Sequence, residues 1–91
     1  MNKIQRNVLV VSYKDTNQVV FVITGRKRGY VTDLEIARSC YDYFNDLFPS
    51  ENVKVEITNP RSNPNYTEFI VNTPFGIKHL VWGWNSQIEY N

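Results

Sequence analysis

Apolar residues recur along this chain in several patterns, and the first of them predicts a β-hairpin. Residues 8–13 and 18–24 are rich in β-branched and apolar side chains, and Lys14-Asp15-Thr16-Asn17 separates the two runs. Asp and Asn favour turns, so the two runs predict paired strands joined by a short loop. Both runs are nearly continuous in apolar residues, which is typical of strands covered on both faces. The pattern therefore also predicts that something packs on the second face of the sheet.

Residues 32–48 carry the periodicity of an amphipathic helix. Thr32 and Glu35 have the spacing of a capping box, which predicts the first turn. Because the residue before a proline avoids helical geometry, Pro49 predicts an end at Phe48. At 100° per residue the apolar half holds Leu34, Ile36, Ala37, Cys40, Tyr41, Tyr43, Phe44, Leu47 and Phe48, and the polar half holds Glu35, Arg38, Ser39, Asp42, Asn45 and Asp46.

The remaining patterns predict three more strands. Residues 53–58 alternate between apolar and polar side chains, residues 59–65 form a loop rich in Pro and Asn, and residues 66–73 and 77–84 flank the turn at 74–76. The predicted order is ββαβββ. One amphipathic helix packed on a mostly antiparallel five-stranded sheet is the natural arrangement for that order. We therefore expect an α+β fold in a single domain over residues 1–91.

The composition indicates a small domain with a core of its own. The chain has 91 residues, 42% of them hydrophobic, and a single cysteine, which excludes an internal disulfide and suits a reducing compartment. The apolar run at residues 8–11 is far shorter than a signal peptide or a membrane span requires. We therefore expect a cytoplasmic protein without a membrane partner.

Charge is segregated along the chain although the net charge is only +1. Residues 1–30 carry six basic side chains and one acidic side chain, whereas residues 31–52 carry one basic and five acidic side chains. The basic triplet Arg26-Lys27-Arg28 lies between two glycines, directly before the predicted helix. The low net charge argues against bulk nucleic-acid binding, for which domains are usually strongly basic.

Three interpretations of this basic loop compete. Cations before a helix N-terminus suit a phosphate, but Asp33, Glu35 and the Thr32 hydroxyl already occupy the first turn, and the spacing is not that of a Walker A motif. A second interpretation is a solvated connection between strand and helix. The third is a surface that binds a protein or a nucleic acid through Arg26, Lys27 and Arg28, with Tyr30 stacking on an aromatic group or a base.

The polar face of the helix is acidic, with Glu35, Asp42 and Asp46 against Arg38. Asp46 falls in the last turn, where the helix dipole disfavours a negative charge. Such a face either keeps the protein soluble or recognises a basic surface. The basic loop of one chain meeting the acidic helix of another would also allow a symmetric homodimer.

Trp82 and Trp84 are two residues apart and therefore share one face of the last predicted strand. Packing in the core is the expected role of at least one of them. Alternatively, the pair forms a stacking platform or a dimer contact, because aromatic residues dominate interface hot spots. Gly83 between them would let a partner backbone approach closely.

The chain lacks a convincing set of catalytic or metal-binding residues. Cys40 and His79 are the only residues of their types, and Cys40 falls at the centre of the apolar arc, where a thiol is an inert filler. One cysteine and one histidine do not supply the three or four ligands of a metal site. We therefore expect no enzymatic activity, no cofactor and no metal.

These observations favour a non-enzymatic protein-interaction module, such as an inhibitor or accessory subunit of the kind that phages and mobile elements encode. Its predicted contacts are the basic loop, Tyr30, the acidic helix face and the two tryptophans. The first alternative is a nucleic-acid-binding protein that uses the GRKRG loop and its aromatic neighbours. The second is an oligomeric protein that binds a small ligand between subunits.

Overall fold

The described part of the chain forms one helix and five strands in the predicted order. A computed structural model describes residues 3–61 and 65–90, so part of the predicted loop at 59–65 lies outside the described residues. The elements are β1 (Lys3–Tyr13), β2 (Val19–Ile23), α1 (Asp33–Leu47), β3 (Lys54–Thr58), β4 (Glu68–Thr73) and β5 (Gly76–Tyr90). The predicted α+β class and the order ββαβββ are confirmed.

All strand pairs in the sheet are antiparallel, and the spatial order is β2-β1-β5-β4-β3. Three hairpins, β1–β2, β3–β4 and β4–β5, account for most of this order. The helix supplies the remaining connection, from β2 at one edge to β3 at the other. Because the two edges lie on opposite sides of the sheet, α1 crosses one face and closes the core there.

The two central strands are longer than their apolar patterns predict. We expected strands at residues 8–13 and 77–84, whereas β1 begins at Lys3 and β5 continues to Tyr90. The additional residues pair with each other, from Lys3 opposite Tyr90 to Val8 opposite Asn85. They are mostly polar, so their strand structure comes from cross-strand pairing and not from a hydrophobic pattern.

The helix begins and ends where its sequence signals predict. The Thr32 hydroxyl accepts a hydrogen bond from the Glu35 backbone N–H at 3.2 Å, and Phe48 is the C-cap, with its N–H donating to the Phe44 carbonyl. At 15 residues and with one polar face, α1 is too short and too polar to span a membrane. It is the single helix of the described residues.

The hydrophobic core lies between α1 and one face of the sheet. Its buried members are Leu9, Val11, Ile36, Cys40, Phe44, Val53, Phe69, Val71 and Leu80. On the opposite face, Val22 and Ile77 are 45% and 62% exposed, and no element among the described residues covers them. The prediction that something packs on the second face therefore fails at these two positions, whereas Val8, which alternates with Leu9 and lies on the same face, is 2% exposed.

Candidate functional site

The connection between β2 and α1 is a defined turn, which we call the basic loop (residues 25–30). The Tyr30 N–H donates to the Lys27 carbonyl at 2.9 Å and closes a β-turn with Arg28 and Gly29 at its centre. Gly25 and Gly29 have φ values of 73° and 84°, a region that side chains disfavour. The glycines therefore let the chain double back, and Arg28 lies at the apex.

Arg26 clamps the basic loop to the helix. Its guanidinium donates to both carboxylate oxygens of Glu35, with Nη2 at 3.0 Å from Oε1. The same Nη2 donates to the Tyr30 carbonyl at 3.1 Å. A two-point contact with a carboxylate fixes a guanidinium more firmly than a single contact does. Arg26 therefore links Tyr30, the last residue of the turn, to the first turn of the helix.

Glu35 links the helix cap with this clamp. The hydrogen bond from Arg26 is the main cause that holds the pKa of Glu35 below its ordinary value, with the charge of Arg26 and hydrogen bonds from Thr32 acting in the same direction. Desolvation acts against them. The ionised Glu35 carboxylate therefore accepts the hydrogen bonds of Arg26 and also supplies the negative charge that a helix N-terminus favours.

The tip of the basic loop exposes two cations and an aromatic ring. The Lys27 ammonium lies 5.1 Å from the centre of the Tyr30 ring, within the range of a cation–π interaction. Tyr30 is 65% exposed, and Arg28 is exposed without an ion pair among the described residues. Lys27, Arg28 and Tyr30 therefore form a compact surface available to a partner.

The acidic residues predicted on the helix have different surroundings. Glu35 is bound to Arg26, and Asp42 pairs with Arg38 at 3.3 Å, where both side chains are exposed. Asp46 is exposed near the end of α1, about 16 Å along the axis from Glu35. The basic loop and the acidic face of α1 are therefore joined by the Arg26–Glu35 pair. Asp42 and Asp46 remain as the acidic side chains of the outer helix face.

Both tryptophans lie on the helix side of the sheet and are half-buried against the core. The Trp82 indole N–H donates to the Thr67 hydroxyl at 2.9 Å and to the Thr67 carbonyl at 3.0 Å. The Tyr66 ring stacks on the Trp82 indole with centres 5.3 Å apart. The expected core role holds for both residues, and one face of Trp82 is already covered by the chain itself.

Tyr66 and Thr67 are structural residues that the sequence patterns did not single out. The Tyr66 hydroxyl accepts from the Trp82 backbone N–H at 2.9 Å and donates to the Trp82 carbonyl. Thr67 donates from its hydroxyl to the Asp33 carboxylate at 3.0 Å. If the register of β4 on β5 is continued past Glu68, Thr67 lies opposite Trp82. That pairing is the signal from which the contacts of Tyr66 and Thr67 with Trp82 could have been predicted. These contacts tie the start of α1 to the sheet beneath the basic loop.

The two residues considered for nucleophilic chemistry lie on different sides of the sheet. Cys40 is buried beneath the helix, and burial raises the pKa of its thiol to about 12. His79 is exposed, and its position in β5 alternates with the core residue Leu80, so it faces the uncovered side. No three His, Cys, Asp or Glu side chains of the described residues lie close enough together to hold a metal ion.

Comparisons with known proteins give this chain no relative. No family model, no curated protein and no solved structure matches it. The function therefore has to be inferred from the chain's own geometry and charges, of which the clamped basic loop is the most distinctive element.

Proposed function

We propose that this chain is a non-enzymatic protein-interaction module, an inhibitor or accessory subunit, that binds an acidic surface of its partner through the basic loop. The observation that supports the proposal is that the three basic side chains have different contacts. Arg26 is bound to Glu35, whereas Lys27 and Arg28 are exposed beside the exposed ring of Tyr30. Arg and Tyr are enriched among the residues that dominate binding energy at interfaces.

A loop that is already ordered is well suited to recognition. Binding normally requires mobile side chains and loops to be immobilised, which opposes association. In this chain the turn hydrogen bond from Tyr30 to Lys27 and the Arg26 contacts have fixed the loop in advance. The acidic helix residues Asp42 and Asp46 offer the same partner a second, oppositely charged contact.

Pairing of the basic side chains favours a protein partner over a nucleic acid. Lys14 is bound to Glu68 at 2.9 Å, and Arg26 is bound to Glu35. Nucleic-acid affinity comes mainly from neutralising many phosphates, and this region offers only Lys27 and Arg28 for that purpose. The exposed Asp42 and Asp46 on the adjoining helix would repel phosphates.

We expect the double substitution Lys27→Ala/Arg28→Ala to abolish partner binding without unfolding the protein, because exposed charges contribute little to stability. The measurement is affinity capture from the native host with tagged wild type and variant, followed by mass spectrometry and a direct titration with the captured protein. Lys54→Ala/Arg61→Ala, which removes one exposed lysine and one exposed arginine elsewhere, is the matched control. Equal capture by the loop variant and the wild type would contradict the proposal.

A nucleic acid is the second candidate, and the exposed Tyr30 beside two cations is the observation that favours it. Aromatic rings and basic side chains together bind single strands by stacking and charge. An oligonucleotide of mixed sequence, titrated at low salt, distinguishes the candidates. Single-strand affinity falls by about 0.7 log units per neutralised phosphate for each log unit of salt. A complex that shows this slope and disappears in Lys27→Ala/Arg28→Ala would assign the loop to nucleic acid.

A further inference from the structure

The two edges of the sheet are protected very differently. Edge strands present unpaired backbone N–H and C=O groups, and charged side chains usually prevent them from pairing with other chains. The edge strand β3, KVEIT, carries Lys54 and Glu56. The opposite edge, β2, has the sequence VVFVI and no charged residue. The protection of β2 is a bulge at Val20, which makes the start of the strand irregular, whereas Phe21–Ile23 pair regularly with β1.

Apolar side chains flank the β2 edge on both faces of the sheet. Val19 and Val22 are 55% and 45% exposed on the uncovered face. On the helix face, the centres of the Phe21 and Tyr43 rings are 5.6 Å apart. Leu47, one turn further along the same side of α1, is 52% exposed. An unpaired strand bordered on both faces by apolar side chains has the properties of an interface.

We infer that the β2 edge pairs with β2 of a second copy of this chain, antiparallel about a two-fold axis at Phe21. This inference goes beyond the proposed function and does not depend on it. Pairing about Phe21 places Val19 opposite Ile23 and Val20 opposite Val22, so apolar residues face each other, with Val20 being the bulge residue that has no partner in β1. One continuous sheet then runs through both copies, and the contact is isologous, as a closed dimer requires.

The charges at the two ends of β2 select the antiparallel orientation and a second copy as the occupant. At the start of the strand, Lys14 is bound to Glu68, which leaves Asp15 as the charge without an ion pair among the described residues. At its end, Arg26 is bound to Glu35, which leaves Lys27 and Arg28. Antiparallel pairing brings Asp15 of one copy toward the basic loop of the other, whereas parallel pairing would bring like charges together. One Asp15 balances only part of the charge of the loop.

Sedimentation equilibrium of the full chain tests the inference. The wild type is expected to dimerise, and Val22→Lys, which adds a charge beside the edge at a half-exposed position, is expected to weaken the dimer at least about tenfold. Ile77→Lys is the control, because Ile77 lies on the same uncovered face and is 62% exposed but belongs to β5. A wild-type monomer at all concentrations, or equal weakening by both variants, would overturn the inference.

Amide hydrogen exchange provides a second readout that does not rely on a variant. The amides of β2 should become more protected as the protein concentration rises, whereas those of the other edge strand, β3, should not change. In the sedimentation experiment, circular dichroism is used to check that Val22→Lys and Ile77→Lys retain the fold. Protection of β2 that arises only when a different protein is added would assign the edge to that protein, and the inference would fail.

Discussion

Phe44→Ala is expected to lower the free energy of unfolding by about 3–5 kcal/mol, the usual range for removing a buried phenylalanine. Phe44 is 2% exposed, at the centre of the apolar side of α1, and belongs to the cluster that joins the helix to the sheet. Domains of this size are stable by about 5–15 kcal/mol, so the variant loses a large share of its stability. Urea denaturation followed by circular dichroism measures the change.

Phe75→Ala is the matched control for that experiment. Phe75 lies in the turn between β4 and β5 and is 78% exposed, although the centres of its ring and the Phe48 ring are 5.5 Å apart. We expect a loss of no more than about 1 kcal/mol for this exposed pair. Similar losses for the two phenylalanines would mean that α1 does not pack on the sheet as described.

Tyr66→Phe is expected to destabilise the protein by about 1–3 kcal/mol through the loss of one oxygen atom. In the wild type the Tyr66 hydroxyl hydrogen-bonds both the N–H and the carbonyl of Trp82, so it takes the place of a neighbouring strand just before β4 begins. Phenylalanine keeps the ring stacked on the indole and leaves two partly buried backbone groups without a partner. Thermal unfolding, followed by the fluorescence of the tryptophans, measures the loss.

Tyr41→Phe removes a hydroxyl of the same kind from a side chain that is 41% exposed on α1. Its hydroxyl has no hydrogen-bond partner among the described residues, so we expect a change within about 0.5 kcal/mol. If Tyr66→Phe were as mild as this control, water would be able to replace the tyrosine hydroxyl at Trp82, contrary to the role assigned to it.

The helix was predictable because its determinants are local. Thr32, Glu35 and Pro49 mark its ends within a few residues of one another, and the 3.6-residue period identifies its buried face. The ends of the central strands were not predictable. Residues of β1 before Val8 are largely polar, and they form a strand because β5 lies beside them. Pairing between residues so far apart in the chain leaves no periodic signal in either segment.

The candidate site was predictable in composition but not in geometry. The basic triplet and the acidic first turn are visible in the sequence, yet which cation meets which carboxylate depends on the turn at Gly29. That turn brings Arg26 back to Glu35, nine residues further along the chain. The same limit applies to Thr67, whose contacts to Asp33 and Trp82 join three separate segments. Sequence alone therefore does not predict that Arg26 binds Glu35 within the chain.

The central claim is that the basic loop has one shape in the free protein because Arg26 holds it. Backbone ¹⁵N relaxation of the wild type and of Arg26→Ala tests this most directly. We predict order parameters for Lys27, Arg28 and Tyr30 near about 0.85, the value of rigid backbone, and a fall toward about 0.6 in the variant, with α1 unchanged in both. Values already below about 0.6 in the wild type, or no difference between the two proteins, would contradict the account.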